Sequence, residues 1–281
     1  MTELRQKMIR AMDLKNLAHH TQRAYLAAVT GLAKHYGDTA VFSQVSLEVN
    51  SGEFVAIVGE SGVGKSTLLN CLAGLDHWDQ GTVLMDGQDL GRLGDEPLAR
   101  LRREHIGFVF QDATLLPWAN VADNVYLPLK LAGLSRGQAK SRIDEALAMV
   151  GLEGQGHLLP REASGGMRMR ASLARSLVLK PKVFLFDEPF GALDEITRER
   201  LNDELLRLFQ IEGFAGLFIT HSISEAVYMS TKVLVMSARP GRITHSFDVP
   251  FAYPRSHDLR YEPAFAELCG EVSHALRGAH Q

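Results

Sequence analysis

One short segment, Gly59-Glu60-Ser61-Gly62-Val63-Gly64-Lys65-Ser66-Thr67, determines how the rest of this chain is interpreted. It matches the pattern G-x-x-x-x-G-K-[ST] and lies between an apolar strand at residues 54–59 and a predicted helix at residues 66–73. The glycines let successive backbone N–H groups turn toward a phosphate, and the start of the helix adds its partial positive charge. Lys65 supplies a full charge for the outer phosphates, and the Ser66 hydroxyl suits Mg²⁺. The segment therefore predicts a loop that holds a nucleoside triphosphate.

Strands and helices alternate through most of the chain. Apolar runs predict further strands at residues 45–49, 82–85, 106–110, 183–186 and 217–220. Helices are expected after Ser164, at residues 196–211 and 264–276, and in a longer helical stretch between residues 122 and 151. Within that stretch, Ser135 and Gln138 have the spacing of a capping box, and Gly151 is placed to end a helix. The alternation indicates a layered α/β domain with a largely parallel sheet.

An acidic pair follows one of the predicted strands. Residues 183–186 are all apolar, as in a buried parallel strand, and they lead directly into Asp187 and Glu188. Ligands of open α/β sheets bind at the carboxyl ends of the strands, which is where this pair lies. Asp187 can hold Mg²⁺, and Glu188, beside the γ-phosphate, can polarise the attacking water as a general base. Together with the phosphate loop, the pair predicts hydrolysis as well as binding.

Composition narrows the class of protein. The chain has 281 residues and 46% hydrophobic content, enough for one large core or two small ones, which excludes a disordered or fibrous protein. The formal net charge of −3 argues against binding of nucleic acid by bulk charge. No stretch approaches the roughly 18 uninterrupted apolar residues of a membrane span. The start lacks an apolar signal core, and Cys71 and Cys269 are too few for a disulfide framework, so a reducing cytoplasm is expected.

Further motifs follow one another in a fixed order. They are Tyr36 within Lys34-His35-Tyr36-Gly37, Gln111 after Val109-Phe110, Ala163-Ser164-Gly165-Gly166-Met167, Asp187-Glu188-Pro189-Phe190-Gly191-Ala192-Leu193-Asp194, and His221 after the strand at residues 217–220. With the phosphate loop, this series resembles the ATP-binding cassette (ABC) ATPases over about residues 28–281. The resemblance implies a P-loop NTPase (RecA-like) core with an antiparallel β subdomain and an inserted helical subdomain at about residues 112–165.

The resemblance also implies a role for each matching residue. ATP would be contacted by Tyr36, stacked on the adenine, and by Gly59, Glu60, Ser61, Gly62, Val63, Gly64, Lys65, Ser66 and Thr67. Mg²⁺ would be held by Ser66, Gln111 and Asp187. Glu188 and His221 would be the catalytic residues, His221 keeping the water and Glu188 in register at the γ-phosphate. Ser164, Gly165, Gly166 and Asp194 would bind the ATP of a second copy, so two chains would pair head to tail as a homodimer.

The sequence departs from the family pattern at two positions and is ambiguous at a third. Ala163 replaces the usual leucine and Met169 the usual glutamine of the signature helix, but neither change removes a phosphate ligand, so hydrolysis is expected to survive. The segment before Tyr36 fits either a helical face over residues 25–36 or the first strand of a cassette at residues 29–32. Its β-branched residues and Gly31 favour the strand.

The transport class is suggested by two short segments. Residues 111–118, with Leu116-Pro117-Trp118, and residues 237–250 resemble nitrate, sulfonate and taurine importer ATPases. That resemblance implies integral-membrane permease subunits and a periplasmic or lipoprotein solute-binding protein as partners. It also implies a peripheral location at the cytoplasmic face of the inner or cell membrane. An exporter, lipid or cell-division ABC system is the alternative. The solute stays open among sulfonate, nitrate, taurine and thiamine-precursor pyrimidines, because recognition would lie in the partner proteins.

The N-terminal segment differs from the rest in charge, being rich in Lys and Arg. Residues 4–25 resemble the start of the helical arm-binding domain of tyrosine recombinases, and Leu4, Met8 and Met12 have helical spacing. A helical N-terminal extension is therefore predicted at residues 1–27, followed by the ATPase domain at residues 28–281 with a C-terminal tail at residues 240–281. A DNA-associated ATPase is a further alternative, although no nucleic-acid partner is expected.

Overall fold

The computed structural model of the protein describes residues 25–237 and 240–279. The strands in this part of the chain are β1 (Tyr25–Tyr36), β2 (Thr39–Asn50), β3 (Phe54–Val58), β4 (Gln80–Met85), β5 (Gln88–Asp89), β6 (Ile106–Val109), β7 (Val183–Asp187), β8 (Ala215–Thr220), β9 (Lys232–Met236) and β10 (Ile243–Asp248). The helices are α1 (Lys65–Leu72), α2 (Asp95–His105), α3 (Val121–Leu131), α4 (Arg136–Met149), α5 (Gly165–Leu177), α6 (Glu195–Glu212), α7 (Ile223–Met229) and α8 (Pro263–Gly278). No helix within the described ranges combines the length and hydropathy of a membrane span.

The larger sheet contains six strands in the order β10-β9-β3-β8-β7-β6. Strand β10 pairs antiparallel with β9, and all the other neighbours run parallel. Strand β3 is buried along its whole length because successive side chains enter two different hydrophobic clusters. Phe54 and Ala56 belong to one cluster, whereas Val55 and Ile57 belong to the other. A strand covered on both faces needs a continuous apolar run, and this explains the uninterrupted pattern of the sequence.

The smaller sheet is antiparallel, in the order β2-β1-β4-β5. Strand β1 spans Tyr25–Tyr36, so the strand interpretation of this segment is confirmed and the helical one is wrong. Gly31 has a φ of 61° at a bulge in β1, where the pairing with β2 shifts register. On the other side of β1, the backbones of β1 and β4 are close at this bulge. A Cβ on Gly81 of β4 would lie 2.6 Å from the Gly31 carbonyl. The strand begins at Tyr25, ahead of the predicted domain start at residue 28.

Helices α3, α4 and α5 pack against one another in the region of the predicted helical insert. The expected stretch at residues 122–151 is two helices, α3 and α4, because Gly133 turns the chain with a φ of 87°. Ser135 and Gln138 form the predicted capping box at the start of α4. Gly151 follows the end of α4 with a φ of 65°, as a glycine in that position commonly does. The boundary of the subdomain at residues 112–165 stays a prediction.

Two helices were absent from the sequence predictions. Helix α2 is mostly charged and has Leu101 as its buried residue, so its apolar face is too small to stand out in the sequence. Helix α7 spans only Ile223–Met229, too short for that periodicity to repeat. The predicted N-terminal helix with Leu4, Met8 and Met12 lies outside the described residues.

Candidate functional site

The phosphate loop joins strand β3 to helix α1 at the carboxyl edge of the parallel sheet. Gly62 and Gly64 adopt φ angles of 80° and 99°, which residues with a side chain rarely take. A Cβ on Gly64 would also lie 2.7 Å from Val41 Cγ1, so this position has no room for a side chain. Gly64 is the N-cap of α1 and provides no side-chain cap, which leaves the first N–H groups of the helix for a ligand.

Lys65 folds back over this loop. Its Nζ donates hydrogen bonds of 2.8 Å to the carbonyl oxygens of Gly59 and Glu60, and it lies 3.8 Å from Glu188 Oε1. Burial lowers the pKa of Lys65, and the charges of Glu188 and Asp187 act in the opposite direction. The side chain is only 4% exposed, so the ammonium is held inside the site rather than in solvent. It is therefore a fixed positive charge next to the loop.

Ser66 and Asp187 meet although they are far apart in sequence. The Ser66 hydroxyl donates a 2.9 Å hydrogen bond to Asp187 Oδ1 at the end of β7. Burial raises the pKa of Asp187, and the hydrogen bond from Ser66 offsets part of that effect. Gln111 follows β6, which pairs with β7, and both Gln111 and Ser66 line one cavity of about 560 Å³. The predicted metal ligands thus converge on one edge of the sheet.

Glu188 and His221 lie side by side. Strand β8 ends at Thr220, and His221 follows with its Nδ1 3.3 Å from Glu188 Oε2. Gly191 also lies next to this pair. A Cβ at its position would be 3.5 Å from His221 Cε1 and 3.6 Å from Gln111 Nε2. No role was predicted for Gly191, since its proximity to the His221 and Gln111 loops depends on the fold. The arrangement pairs a carboxylate with an imidazole beside the phosphate loop.

Tyr36 lies at the end of β1 and lines the same cavity as Lys65 and Glu188. Its hydroxyl donates a 2.6 Å hydrogen bond to Asp76 Oδ2, and Lys34 Nζ donates one of 2.9 Å to Asp76 Oδ1. The Lys34 ammonium is also 4.7 Å from the centre of the Tyr36 ring. Burial raises the pKa of Asp76, but the hydrogen bonds from Lys34 and Tyr36 outweigh it and hold that pKa below its ordinary value.

Asp76 and Lys34 were missed by the sequence analysis. A signal for Lys34 existed, because it stands two residues before Tyr36 and therefore on the same face of a strand. Nothing in the local pattern pointed to Asp76, which comes from the segment after α1 and meets Tyr36 only in the folded chain. Tyr36 as a residue is 56% exposed, so a planar ligand can reach it.

The Ser-Gly-Gly motif lies in a different cavity. Ser164 is the N-cap of α5 and accepts a hydrogen bond from the Met167 N–H at 3.2 Å. Asp194 caps α6 in the same way, accepting from the Thr197 N–H at 3.0 Å. Both capping residues line a cavity of about 680 Å³ that shares no residue with the one around Lys65. Within one chain, this motif is therefore not part of the phosphate-loop site.

Comparison with known proteins identifies the family. Residues 42–191, more than half of the chain, match the family model described as ABC transporter. The chain belongs to the ABC transporter family. The ABC ATPase resemblance is thereby confirmed, and the protein is an ATP-binding ABC ATPase. The family match includes the phosphate loop, the Ser-Gly-Gly motif and the acidic pair.

Relatives of this ABC ATPase cover most of its length. The taurine import ATP-binding protein of Rhizobium johnstonii is 42% identical over 85% of this chain and 90% of its own length. The nitrate import ATP-binding protein of Synechocystis sp. is 40% identical over 86% of this chain and 90% of its own length. An aliphatic sulfonates import ATP-binding protein of Pseudomonas aeruginosa is 42% identical over 89% and 96%.

Solved ABC structures confirm the predicted fold. The ATP-binding cassette MJ0796, in a dimeric post-hydrolysis state bound to ADP and Pi, is 31% identical with a TM-score of 0.72. It covers 80% of this chain and 100% of its own. A second dimeric structure of the same cassette gives a TM-score of 0.73 at 32% identity, with the same coverage. The RecA-like core with an antiparallel sheet and a helical insert is the fold of this ABC ATPase.

Proposed function

We propose that this chain is the ATP-hydrolysing subunit of a membrane importer for a small solute of the nitrate, sulfonate or taurine class. One observation carries the enzymatic part: Lys65, Glu188 and His221 meet at one edge of the parallel sheet, beside a loop shaped for a triphosphate. The import direction and the solute class rest on relatives named as import ATP-binding proteins at 40 to 42% identity.

Glu188 is the general base of this proposal. Its Oε2 is 3.3 Å from His221 Nδ1, and its Oε1 is 3.8 Å from Lys65 Nζ, so two positive or polar groups orient the carboxylate. A water that attacks the γ-phosphorus gives its proton to Glu188 while the bond to the bridging oxygen breaks and ADP leaves. The loop N–H groups and Lys65 stabilise the charge that develops on the phosphate oxygens.

Mg²⁺ suits the donor set of this site. Ser66, Asp187 and Gln111 would hold it, and hydroxyl, carboxylate and amide oxygens are the hard ligands that this ion prefers. Burial makes ionised Asp187 costly, and a bound cation removes that cost, so the buried carboxylate fits the ion. When bound, Mg²⁺ neutralises charge on the β- and γ-phosphate oxygens.

A homodimer would complete the site. Ser164 and Asp194 line a cavity separate from that of Lys65, so one chain offers two incomplete surfaces. A head-to-tail pair related by a twofold axis brings each Ser-Gly-Gly motif onto the ATP of the other chain. The structures of MJ0796, which cover 80% of this chain, are dimeric and support a homodimer. ATP then joins the two chains, and its hydrolysis releases them.

A groove beside the Gln111 loop is suited to a permease. It has a volume of about 530 Å³ and is lined by residues of α2, β6, α3 and α5, including Phe108, Leu131 and Arg175. Arg175 donates hydrogen bonds to the carbonyl oxygens of Ala113 and Thr114, two and three residues after Gln111. A helix seated in the groove would thus touch a side chain that holds the Gln111 loop. Leu131, at 69% exposure, supplies apolar contact area.

The remaining partners follow from the importer assignment. Integral-membrane permease subunits would span the membrane and hold this chain at its cytoplasmic face as a peripheral subunit. A periplasmic or lipoprotein solute-binding protein would select the solute, which is why the present site carries no signal for it.

Transport in liposomes tests the proposal. The chain would be reconstituted with its permease and solute-binding protein, and uptake of taurine, nitrate and an alkanesulfonate would be compared. We expect ATP-dependent uptake of a solute from this class, and Glu188→Gln should abolish it. ATP-dependent movement in the opposite direction would contradict the importer assignment, and uptake of an unrelated solute only would contradict the solute class. Either result would leave the ATPase assignment intact.

A further inference from the structure

A buried carboxyl group lies beneath the loop that carries His221. Glu225, on α7, is 7% exposed. Its Oε2 accepts a hydrogen bond from the Thr220 hydroxyl, and Thr220 Oγ1 accepts one from the Ser222 N–H at 3.0 Å. The Glu225 N–H donates to Ser222 Oγ at 3.3 Å. Thr220 and Ser222 are the sequence neighbours of His221, so both sides of the histidine are bonded to Glu225 or to a group that it holds.

The position of His221 depends on this network. The imidazole is 53% exposed, so packing against other side chains does not fix it, whereas the backbone on either side is tied down. The partner of its Nδ1, at 3.3 Å, is Glu188 Oε2. A shift of the Thr220 to Ser222 turn would therefore move the histidine away from the carboxylate.

The same carboxyl group faces helix α6. The side chains of Asn202 and Arg198, both on α6, interact with Glu225. Arg198 in turn donates hydrogen bonds to the carbonyl oxygens of Phe190 and Leu193, at 3.2 and 2.9 Å, in the segment that follows Glu188. Glu225 thus lies between the turn that carries His221 and the helix that anchors the segment after Glu188.

Burial raises the pKa of Glu225, and the hydrogen bonds from Thr220 and Asn202, followed by the charges of Arg198 and His221, offset only part of this effect. Its Oε1 is buried without a hydrogen-bond partner among the described residues. A neutral carboxylic acid has a smaller desolvation cost than a carboxylate in such surroundings. The group is suited to hydrogen bonding rather than to ion pairing, and glutamine is its closest neutral substitute.

We propose that Glu225 is a positioning residue for ATP hydrolysis. Its carboxyl group bonds the Thr220 hydroxyl, which in turn accepts from the Ser222 N–H, and this chain of bonds holds His221 beside Glu188. The inference rests on the proposed roles of Glu188 and His221. Glu225 does not contact the phosphate-loop cavity and therefore acts only through the turn above it.

Steady-state ATP hydrolysis by Glu225→Ala and Glu225→Gln tests the inference. For Glu225→Ala we expect kcat to fall by about tenfold or more, since small misplacements of a catalytic group cost up to ~10²-fold. The KM for ATP should stay within about twofold of the parent value, because the lost interaction is not a ground-state contact with ATP. Glu225→Gln should recover most of the activity. Glu212→Ala, at the exposed end of α6, is the matched control and should behave as the parent.

A double-mutant cycle with His221→Ala separates positioning from a general loss of stability. If Glu225 acts through His221, adding Glu225→Ala to His221→Ala should lower kcat by less than about twofold, far less than it does in the parent. Equal losses in both backgrounds would overturn the inference, as would parent-like kcat in folded Glu225→Ala. Parent-like turnover of His221→Ala would instead overturn the proposed role of His221, and this inference with it.

Thr220→Val provides the test should Glu225→Ala not fold. It removes the hydroxyl that bridges Glu225 and the Ser222 N–H while keeping the volume of the side chain. We expect the same pattern of lower kcat and nearly unchanged KM. In the His221→Ala background, Thr220→Val should again lower kcat by much less than it does in the parent. Full activity in Thr220→Val would contradict the proposed network.

Discussion

Glu188 has a backbone φ of 45°, in the left-handed region that residues with a side chain rarely adopt. Such a conformation costs on the order of 1–3 kcal/mol and persists only where the surroundings enforce it. The Glu188 N–H donates to the Ile219 carbonyl and its own carbonyl accepts from the Gly191 N–H, both at 3.0 Å. The backbone therefore turns sharply after β7 instead of continuing along the sheet, and this turn places the Glu188 carboxylate beside His221.

Replacing Glu188 by Gln tests its chemical role. The amide cannot accept the proton of the attacking water, so turnover should fall by about 10²- to 10⁴-fold. ATP binding should be retained, because the phosphate loop and Lys65 are unchanged. ATP turnover and the binding of a fluorescent ATP analogue would be measured together. A Glu188→Gln protein that hydrolysed ATP at the parent rate would exclude Glu188 as the general base.

Asp76 controls the orientation of Tyr36, and its replacement tests the stacking role of that ring. Asp76→Ala removes the acceptor of the Tyr36 hydroxyl and of Lys34. We expect the KM for ATP to rise by about 3- to 10-fold, since an aromatic contact contributes roughly 0.5–1.5 kcal/mol, with kcat little changed. Asp79→Ala is the control, because Asp79 bonds to His35 instead. Equal KM values for the two variants would argue against an oriented stacking ring.

At the scale of single elements, helix α3 holds the loop that precedes it through one buried side chain. Asn124 is fully buried, its Oδ1 accepts from the Leu116 N–H at 2.7 Å, and its Nδ2 donates to the carbonyl oxygens of Leu116, Ala119 and Asn120. The exposed Trp118 lies on this loop. A primary amide is uncharged and supplies two N–H donors together with an acceptor oxygen, which this set of backbone groups requires.

Asn124→Leu should therefore destabilise the protein markedly. The substitution leaves several buried backbone groups without partners, and we expect a loss of about 3 kcal/mol in the free energy of unfolding. Asn120→Ala is the comparison, because it removes only the N-cap hydrogen bond of α3 and should cost about 1 kcal/mol. Denaturant unfolding followed by circular dichroism measures both. A smaller loss for Asn124→Leu than for Asn120→Ala would contradict the role of this side chain.

At the scale of the whole molecule, the two separate cavities lead to a test of the head-to-tail dimer. Chains carrying Ser61→Cys and chains carrying Ser164→Cys would be mixed in a Glu188→Gln background with ATP and oxidised mildly. A disulfide needs Cα atoms within about 7 Å, so it should join the two different chains only if the phosphate loop faces the Ser-Gly-Gly motif in trans. The crosslinked species would be detected on a non-reducing gel.

The control for this crosslink is Ser51→Cys in place of Ser61→Cys. Ser51 is exposed in the turn before β3, at the opposite end of that strand from the phosphate loop. It should give no ATP-dependent crosslink with Ser164→Cys. Crosslinking of equal yield for both pairs, or none for Ser61→Cys, would count against the composite site.

The sequence by itself determined the features that depend on neighbours along the chain. The phosphate loop was recognisable because the positions of its glycines and Lys65 are set by a local backbone turn. The buried strands were recognisable because a strand covered on both faces requires a continuous apolar run, as at residues 183–186. The capping box at Ser135 is likewise a matter of three-residue spacing. The motif order identified the ABC ATPase resemblance that the family match confirms.

Tertiary structure alone decided the contacts between distant segments. Residues 25–36 were ambiguous between helix and strand until pairing with β2 and β4 became available, since β pairing is a long-range interaction. The bond from Tyr36 to Asp76 and the approach of Gly191 to His221 join loops from different elements, so no local pattern encodes them. The same holds for Glu225. Its burial against α6 raises its pKa, and neither the burial nor the contact with α6 can be read from its place in the sequence.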